Sequence, residues 1–212
     1  NGPLRDRRAS LQRRWRDLRV KWVDDGCEHA IQGSRPGHSP LFLTFAGSTR
    51  RMNLPSHQLA MTVLMTPDTA NFAGNVHGGH LLKLLDQVAY ACASRYAGRY
   101  VVTLSVDQVT FREPIFVGEL VSFLASVNHT GTSSMEVGVK VLAQEIRTQA
   151  VRHVNSCFFT MVAVDDNRKP VAVPKLSPAN TTEKRRYAAA ELRKALRQEM
   201  RTRFQEMRPR GA

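Results

Sequence analysis

Apolar residues recur with two different periods along the middle of the chain. Over residues 80–96 they return every three or four positions, which predicts a helix, and Gly98 supplies its end. Apolar positions nearly encircle this helix, so we expect other structure to wrap around it. One short strand is predicted before it, over residues 60–65.

Four runs with the pattern of strands follow the helix, at 102–111, 120–128, 135–143 and 154–164. In the first run the alternation slips near Asp107 and Gln108, which predicts a β-bulge. Residues 128–132 have the composition of a turn. Links this short favour antiparallel neighbours, because parallel crossovers need about a dozen residues. The pattern therefore predicts an α+β fold, a curved antiparallel five-stranded sheet wrapped around one central helix, which is the hotdog architecture.

A second helix is predicted after a proline-containing segment, and we assign residues 177–212 to a basic C-terminal helix and tail. Asn180 and Glu183 have the spacing of a helix cap. An apolar ridge with a four-residue period follows, formed by Ala188, Leu192, Leu196, Met200 and Phe204. We expect the ridge to pack against a neighbouring subunit or against the domain's own surface. A helix that binds a membrane surface or nucleic acid is the alternative.

Almost all of the net charge of +13 lies in the two ends of the chain. Residues 1–51 carry 11 Lys and Arg against 5 Asp and Glu, whereas residues 52–176 carry 10 against 9. We interpret 1–51 as a basic extension, either disordered or not native, with a genuine flexible arm as the alternative, and 52–176 as the folded domain. The nearly neutral centre argues against nucleic acid as a partner. No apolar run reaches the roughly 20 residues of a membrane span, so we expect no integral membrane association.

The three cysteines, Cys27, Cys92 and Cys157, are far apart and odd in number, which is typical of a reduced, cytoplasmic protein. Cys92 and Cys157 lie in apolar runs and are expected to be buried. His77 and His80 have no third ligand nearby, so we predict no metal site and no cofactor.

The segment 74–80 joins the first strand to the central helix. Gly78 and Gly79 let a ligand approach the backbone, and the unpaired amides of a helix start can polarise a carbonyl oxygen. Glycines that only relieve a tight turn are the alternative. Asn75 either holds this loop through an Asx turn or orients a water molecule or a substrate carbonyl.

Asp86 falls at the border of the apolar face of the predicted helix. A carboxylate in this position must be paired, hydrogen-bonded or functional. It could act as a general base toward water. It could equally be structural, bonded to backbone, Arg95 or Arg112.

Several separated runs resemble, in order, the acyl-coenzyme A thioesterases of the hotdog superfamily. They read GNVHGGHLLKLLDQVAYACASRYAG, VTLSVDQVTFREPIFVGELV, TGTSSMEVGVKV and CFFTMVAVDDNRKPVAVP, and the resemblance covers residues 57–205. It implies an enzyme that hydrolyses fatty acyl-CoA to a fatty acid and CoA, with the site between two hotdog units. The matching catalytic positions are Asn75 and Asp86. One unit carries both, so the resemblance implies a homo-oligomer, a dimer or a trimer of dimers.

In the implied mechanism Asp86 activates water or acts as the nucleophile, while amides near His77, Gly78 and Gly79 hold the thioester carbonyl. The pantetheine and nucleotide would run past Val106 and the turn Thr132, Ser133 and Ser134. Two other functions remain open at this point. One is a hotdog dehydratase or hydratase, which would need a catalytic histidine, and the other is a non-enzymatic acyl-CoA or nucleic-acid binding module.

Overall fold

A computed structural model describes residues 54–207 of the chain. It contains two α-helices, one short 3₁₀ helix at Pro67–Thr69 and six strands. The helices are α1 (Gly78–Ala97) and α2 (Thr181–Glu206), and the strands are β1 (Gln58–Leu64), β2 (Tyr100–Val106), β3 (Thr110–Phe111), β4 (Leu120–Thr130), β5 (Ser134–Gln144) and β6 (Val151–Val164). The predicted extension 1–51 lies outside the described residues.

The strands form one antiparallel sheet in the order β1-β4-β5-β6-β2. The two-residue strand β3 also pairs with β6, beyond the end of β2. Helix α1 contacts five strands, β1, β2, β4, β5 and β6, so the sheet curves around it. The expected hotdog fold is confirmed.

The core lies between α1 and the concave face of the sheet, and it follows from two periodicities. Alternate residues of β4, such as Val121 and Phe123, point inward and are fully buried. Leu81, Leu85 and Val88 meet them from one side of the helix. Each fully buried side chain of this kind stabilises the fold by roughly 1.5–3 kcal/mol.

Two local predictions were wrong in detail. The β-bulge lies between Thr103 and Ser105 rather than near Asp107, where the strand instead ends before β3 begins. The predicted turn at 128–132 is shorter, because β4 continues to Thr130 and only residues 131–133 form the connection. The end of α1 is as predicted, since Gly98 has a φ of 61°, the left-handed conformation that favours glycine.

Helix α2 lies on the outer face of the sheet. Its cap is confirmed: the side chain of Asn180 accepts a bond from the amide of Glu183 (2.9 Å), and Glu183 Oε2 accepts one from the amide of Ala179 (2.8 Å). Arg193 and Arg197 reach the sheet and both donate to the buried carboxylate of Glu136. These ion pairs, rather than the apolar ridge, hold the middle of the helix against the sheet.

The sheet of the same chain does not cover the apolar ridge of α2. Four of its members, Leu192, Leu196, Met200 and Phe204, are between 49 and 63% exposed. Packing of the ridge against the domain's own surface, one of the two expectations, is therefore wrong. A neighbouring subunit stays a prediction. Neither helix within residues 54–207 has both the length and the hydropathy to cross a membrane.

Candidate active site

The loop before α1 is held by Asn71, a residue that the sequence reasoning did not single out. Its side-chain Oδ1 accepts bonds from the backbone amides of Ala73 (2.9 Å) and Asn75 (3.2 Å). The backbone N–H of Asn71 donates to the backbone carbonyl of Asn75 (2.6 Å). The Asx turn expected of Asn75 therefore belongs to Asn71. The side chain of Asn75 has no hydrogen-bond partner among residues 54–207, and the residue is partly exposed.

His77 caps the N-terminus of α1, and the helix begins two residues earlier than predicted. Its Nδ1 accepts a bond from the amide of Gly79 (3.0 Å), so one amide of the first turn is satisfied within the chain. Gly78 lies beside the ring of Phe111: a Cβ at Gly78 would be 3.6 Å from the ring edge. The absence of a side chain thus opens space between the helix start and β3. Because Nδ1 accepts this bond, the neutral ring carries its proton on Nε2 and has no nitrogen left to act as the base that the dehydratase alternative needs.

Asp86 lies two turns into α1 and is exposed in the single chain. Its Oδ1 accepts a bond of 2.7 Å from the hydroxyl of Thr103 on β2. Within residues 54–207 no arginine pairs with it; Arg95 instead donates to the carbonyls of Leu54 and Gln58. The structural alternative, a bond of Asp86 to backbone, Arg95 or Arg112, is therefore not what the structure of residues 54–207 shows.

Within one chain the two predicted halves of the site are separated along the helix axis. Gly78 and Asp86 are eight residues apart, which corresponds to about 12 Å. Asp86 also lies on a different face from the buried residues, between Leu82 (41% exposed) and Tyr90 (39% exposed) at four-residue spacing. The helix is therefore not wrapped on all sides, contrary to the expectation, and Asp86 sits in the middle of an exposed apolar stripe.

Strand β2 continues this exposed apolar surface. It pairs only with β6, so its other edge has no partner among the described residues. Tyr100 packs edge-on against Tyr90, with ring centroids 6.0 Å apart, and links the strand to the helix stripe. The exposed apolar side chains of β2 are Tyr100, Val102, Leu104 and Val106. Val106, predicted to contact the substrate, pairs with Phe159, and Thr103 pairs with Met161; both partners are buried on the core side of β6, so Val106 lies on the same face of the sheet as Thr103.

The turn Thr132–Ser134 lies at the same level of the sheet as Thr103. Thr103 pairs with Met161, and Met161 pairs with Met135, the residue after the turn. Two strand spacings separate the turn from Thr103, which is about 10 Å. The amides of Ala163 and Val173 donate to the carbonyls of Ser133 and Thr132, so the turn is firmly held.

Cys92 and Cys157 are fully buried, as predicted. Burial raises the pKa of each thiol to about 12, so neither is a nucleophile at neutral pH. Across residues 54–207, no three His, Cys, Asp or Glu side chains come together as metal ligands.

Thr103 is the site residue that the sequence reasoning missed. Its contact with Asp86 joins a helix and a strand 17 positions apart, which periodicity cannot reveal. The one available signal was the pair of hydroxyl residues, Thr103 and Ser105, within the otherwise apolar run YVVTLSV.

The fold, with a carboxylate on the central helix beside the open edge of β2, defines one class of protein. Comparisons with known proteins identify this class. The model of the thioesterase superfamily matches residues 73–150. VdlD of Helicobacter pylori is 49% identical over 167 residues, which cover 79% of this chain and 91% of VdlD. The chain belongs to the hotdog-fold acyl-CoA thioesterases.

Solved structures of the same family superpose on most of the described residues. An acyl-CoA hydrolase from Staphylococcus aureus, solved with butyryl-CoA and CoA, is 32% identical, with a TM-score of 0.64; the match covers 72% of this chain and 95% of that protein. A hexameric acyl-CoA thioesterase is 36% identical, with a TM-score of 0.67, and the match covers 68% and 93%. Alanine variants of the S. aureus hydrolase have also been solved, with asparagine 28, aspartate 43 or threonine 60 replaced.

Proposed function

We propose that this protein hydrolyses fatty acyl-CoA thioesters to a free acid and CoA at a site that two chains build together. Membership of the acyl-CoA thioesterase family supports the reaction. The observation that carries the site is Asp86, which lies in an exposed apolar stripe beside β2, a strand with one edge unpaired among residues 54–207, and is oriented by Thr103.

Pairing of β2 with β2 of a second chain would complete the site. A free edge with Leu104 and Tyr100 more than half exposed is unfavourable in water, and a second sheet joined there would cover both. Twofold symmetry would bring the exposed face of one α1 opposite the partner. Asp86 could then meet the partner's helix start, which the 12 Å separation forbids within one chain.

In the proposed mechanism the amide of Gly78 binds the thioester carbonyl and stabilises the developing oxyanion. Gly79 contributes only if its bond to His77 opens. As nucleophile, Asp86 adds to the carbonyl carbon, the C–S bond breaks, and water then hydrolyses the acyl anhydride; as general base, it takes a proton from the water that attacks this carbon. In both routes CoA leaves as a thiolate and takes up a proton, while Thr103 holds one oxygen of Asp86 so that the other faces the substrate.

An asparagine would position the attacked carbonyl or the water, and two residues compete for this role. Asn75 is the residue that the sequence predicts for this role. Its side chain has no hydrogen-bond partner among residues 54–207, which leaves it available to a substrate or water. In the S. aureus hydrolase, the substituted asparagine lies 15 positions before the aspartate, and the threonine lies 17 after it. Asn71, Asp86 and Thr103 have the same two spacings. This agreement supports Asn71, and it supports Thr103 independently of the hydrogen bond.

The remaining features of the substrate site follow the original predictions. The acyl chain would lie between α1 and the paired sheets, and the CoA portion would pass Val106 toward the turn Thr132–Ser134. Further assembly into a trimer of dimers is supported by the hexameric structure in the family. The cytoplasmic location and a role in fatty acid metabolism stay predictions.

Release of thiol from acyl-CoAs of increasing chain length tests this function. Wild type should hydrolyse part of the series, and Asp86→Asn should lose at least about 100-fold in kcat, as expected for a lost general base. Asp166→Asn, which changes an exposed aspartate in the turn after β6, is the matched control and should keep full activity. Full activity in Asp86→Asn would remove this residue from the mechanism.

A further inference from the structure

Helix α2 crosses the outer face of the sheet in the order of the strands themselves. Near its start Glu183 pairs with His57, next to β1; Tyr187 then stacks on His129 of β4. The later contacts, in chain order, are Arg193 with Glu136 of β5, Arg193 over the ring of Phe158 of β6, and Arg197 with Asp107 at the end of β2. The helix therefore runs from one edge of the sheet to the other.

The helix is longer than the sheet is wide. From Tyr187 to Arg197 it rises about 15 Å, which equals the roughly 14 Å of three strand spacings between β4 and β2. The helix therefore crosses the strands at nearly a right angle. Nine more residues follow Arg197, and they carry the helix about 14 Å past the edge formed by β2.

These last residues, 198–206, we call the arm. Up to Arg197 every turn of α2 includes a residue that the sheet at least partly covers, whereas every residue of the arm is exposed. The arm is not purely polar, since Met200 is 56% and Phe204 62% exposed. Met207, just beyond it, is 77% exposed. An apolar helical segment thus projects into solvent next to the edge of β2, which has no partner strand among residues 54–207.

We propose that the arm packs on the outer face of a second copy of this chain, in the dimer formed through β2. This inference rests on the proposed dimer and adds a contact to it. A sheet that continues from β2 into β2 of the partner places the partner's outer face beneath the arm. By symmetry the partner's arm returns across the first chain, so each dimer buries two arms.

The charges of the arm favour a protein partner over a lipid surface. It carries Arg201 and Arg203 against Glu199 and Glu206, and Arg203 already pairs with Glu199 (2.6 Å). Its net charge is therefore zero, whereas helices that bind anionic membranes depend on an excess of Lys and Arg. A balanced rim around apolar side chains is typical of a contact between proteins.

Single substitutions on α2 test the arm. Phe204→Asp and Met200→Asp should each raise the dimer dissociation constant at least about tenfold, because two apolar side chains per dimer lose their contact. Leu192→Asp is the matched control: Leu192 is 63% exposed on the same ridge, yet it precedes Arg197 and lies over its own sheet. It should leave dissociation unchanged.

Sedimentation equilibrium measures the dissociation constant. If the dimer does not dissociate on dilution, native mass spectrometry can instead follow the rate at which dimers of two different masses exchange subunits. Circular dichroism checks that each variant is folded. An unchanged dimer dissociation constant in both arm variants would overturn the proposal. An equal effect of Leu192→Asp on this constant would overturn it too, and so would arm variants that lose binding to anionic vesicles while the dimer stays intact. A monomeric wild type that hydrolyses acyl-CoA would overturn the arm and the dimer together but leave the proposed reaction standing.

Discussion

The hydroxyl of Thr103 donates a hydrogen bond of 2.7 Å to Asp86 Oδ1 and so ties the edge strand to the central helix. The Oγ1 atom of Thr103 also lies 3.6 Å from the sulfur of Met161 on the neighbouring strand. The carboxylate is therefore oriented before any substrate binds. Its second oxygen is left for water or for the thioester.

Replacing Thr103 by valine should separate this orienting role from any role in folding. The side chain keeps its shape but loses a hydrogen bond to a charged group, so we expect kcat to fall about ten- to a hundredfold. Because Thr103 is exposed, the melting temperature should change little. Thr103→Ser, the control, keeps the hydroxyl and should keep most of the activity. Equal activities of the two variants would contradict the orienting role.

Three variants should decide between Asn71 and Asn75. Asn71→Ala loses both loop bonds and should lower the melting temperature as well as kcat. Asn71→Asp keeps the acceptor oxygen that holds the loop but lacks the amide N–H. If Asn71 acts in catalysis, Asn71→Asp should restore stability without restoring activity, and Asn75→Ala should stay active. An inactive but stable Asn75→Ala, together with an active Asn71→Asp, would return the role to Asn75.

Mixed dimers should show whether two chains share a site. When Asp86→Asn is mixed with the inactive asparagine variant and the chains exchange freely, half of the dimers are mixed and each has one intact site of two. Activity should therefore recover to about a quarter of the wild-type value. Thiol release before and after exchange measures this recovery. No recovery, with exchange verified by mass, would place all the groups within one chain.

The stability of the protein should fall on mild acidification because of His129. Burial, aided by the positive charge of Lys194, lowers the pKa of His129 below its usual value of about 6.5. The folded state thus binds this proton less readily than the unfolded state. The contribution is fully present above pH 6.5 and is lost as the pH falls toward the lower folded pKa.

Urea unfolding at pH 7.5 and pH 5.5 measures this loss, with His129→Gln as the comparison. The variant should lose less stability between the two pH values than wild type, even if its stacking on Tyr187 is weaker and it starts from a lower value. An identical pH dependence of the two proteins would show that other groups cause the acid sensitivity.

Local features of the fold could be predicted from the sequence because each depends on neighbouring residues. Gly98 ends its helix through its own backbone conformation, and the alternation in β5 reports its two faces directly. The position of the bulge could not be predicted, because the register of β2 is set by β6. Likewise the orientation of α2 depends on the pairing of Glu136 with Arg193, 57 positions away. Without that pair, the apolar ridge was the more plausible inner face.

In the candidate site, too, the features set by neighbouring residues could be predicted, whereas those set by distant contacts could not. Gly78 and Asp86 were found because a helix start and a carboxylate on an apolar helix are visible in one segment. Thr103 was not, since only the packing of β2 on α1 brings it to Asp86. Asn71 was overlooked because both asparagines fit a loop pattern, and the hydrogen bonds of the folded loop distinguish them.

The ion pairs of Arg193 and Arg197 with Glu136, which hold α2 on the sheet, have a consequence for biosynthesis. Every strand within residues 54–207 precedes α2, so the sheet and its central helix can form while the 26 residues of α2 are still within the ribosome. In that interval Glu136 is hydrated and carries its charge without cost. The apolar ridge of α2 is synthesised only later, so this exposed apolar surface appears after the sheet and the central helix have folded.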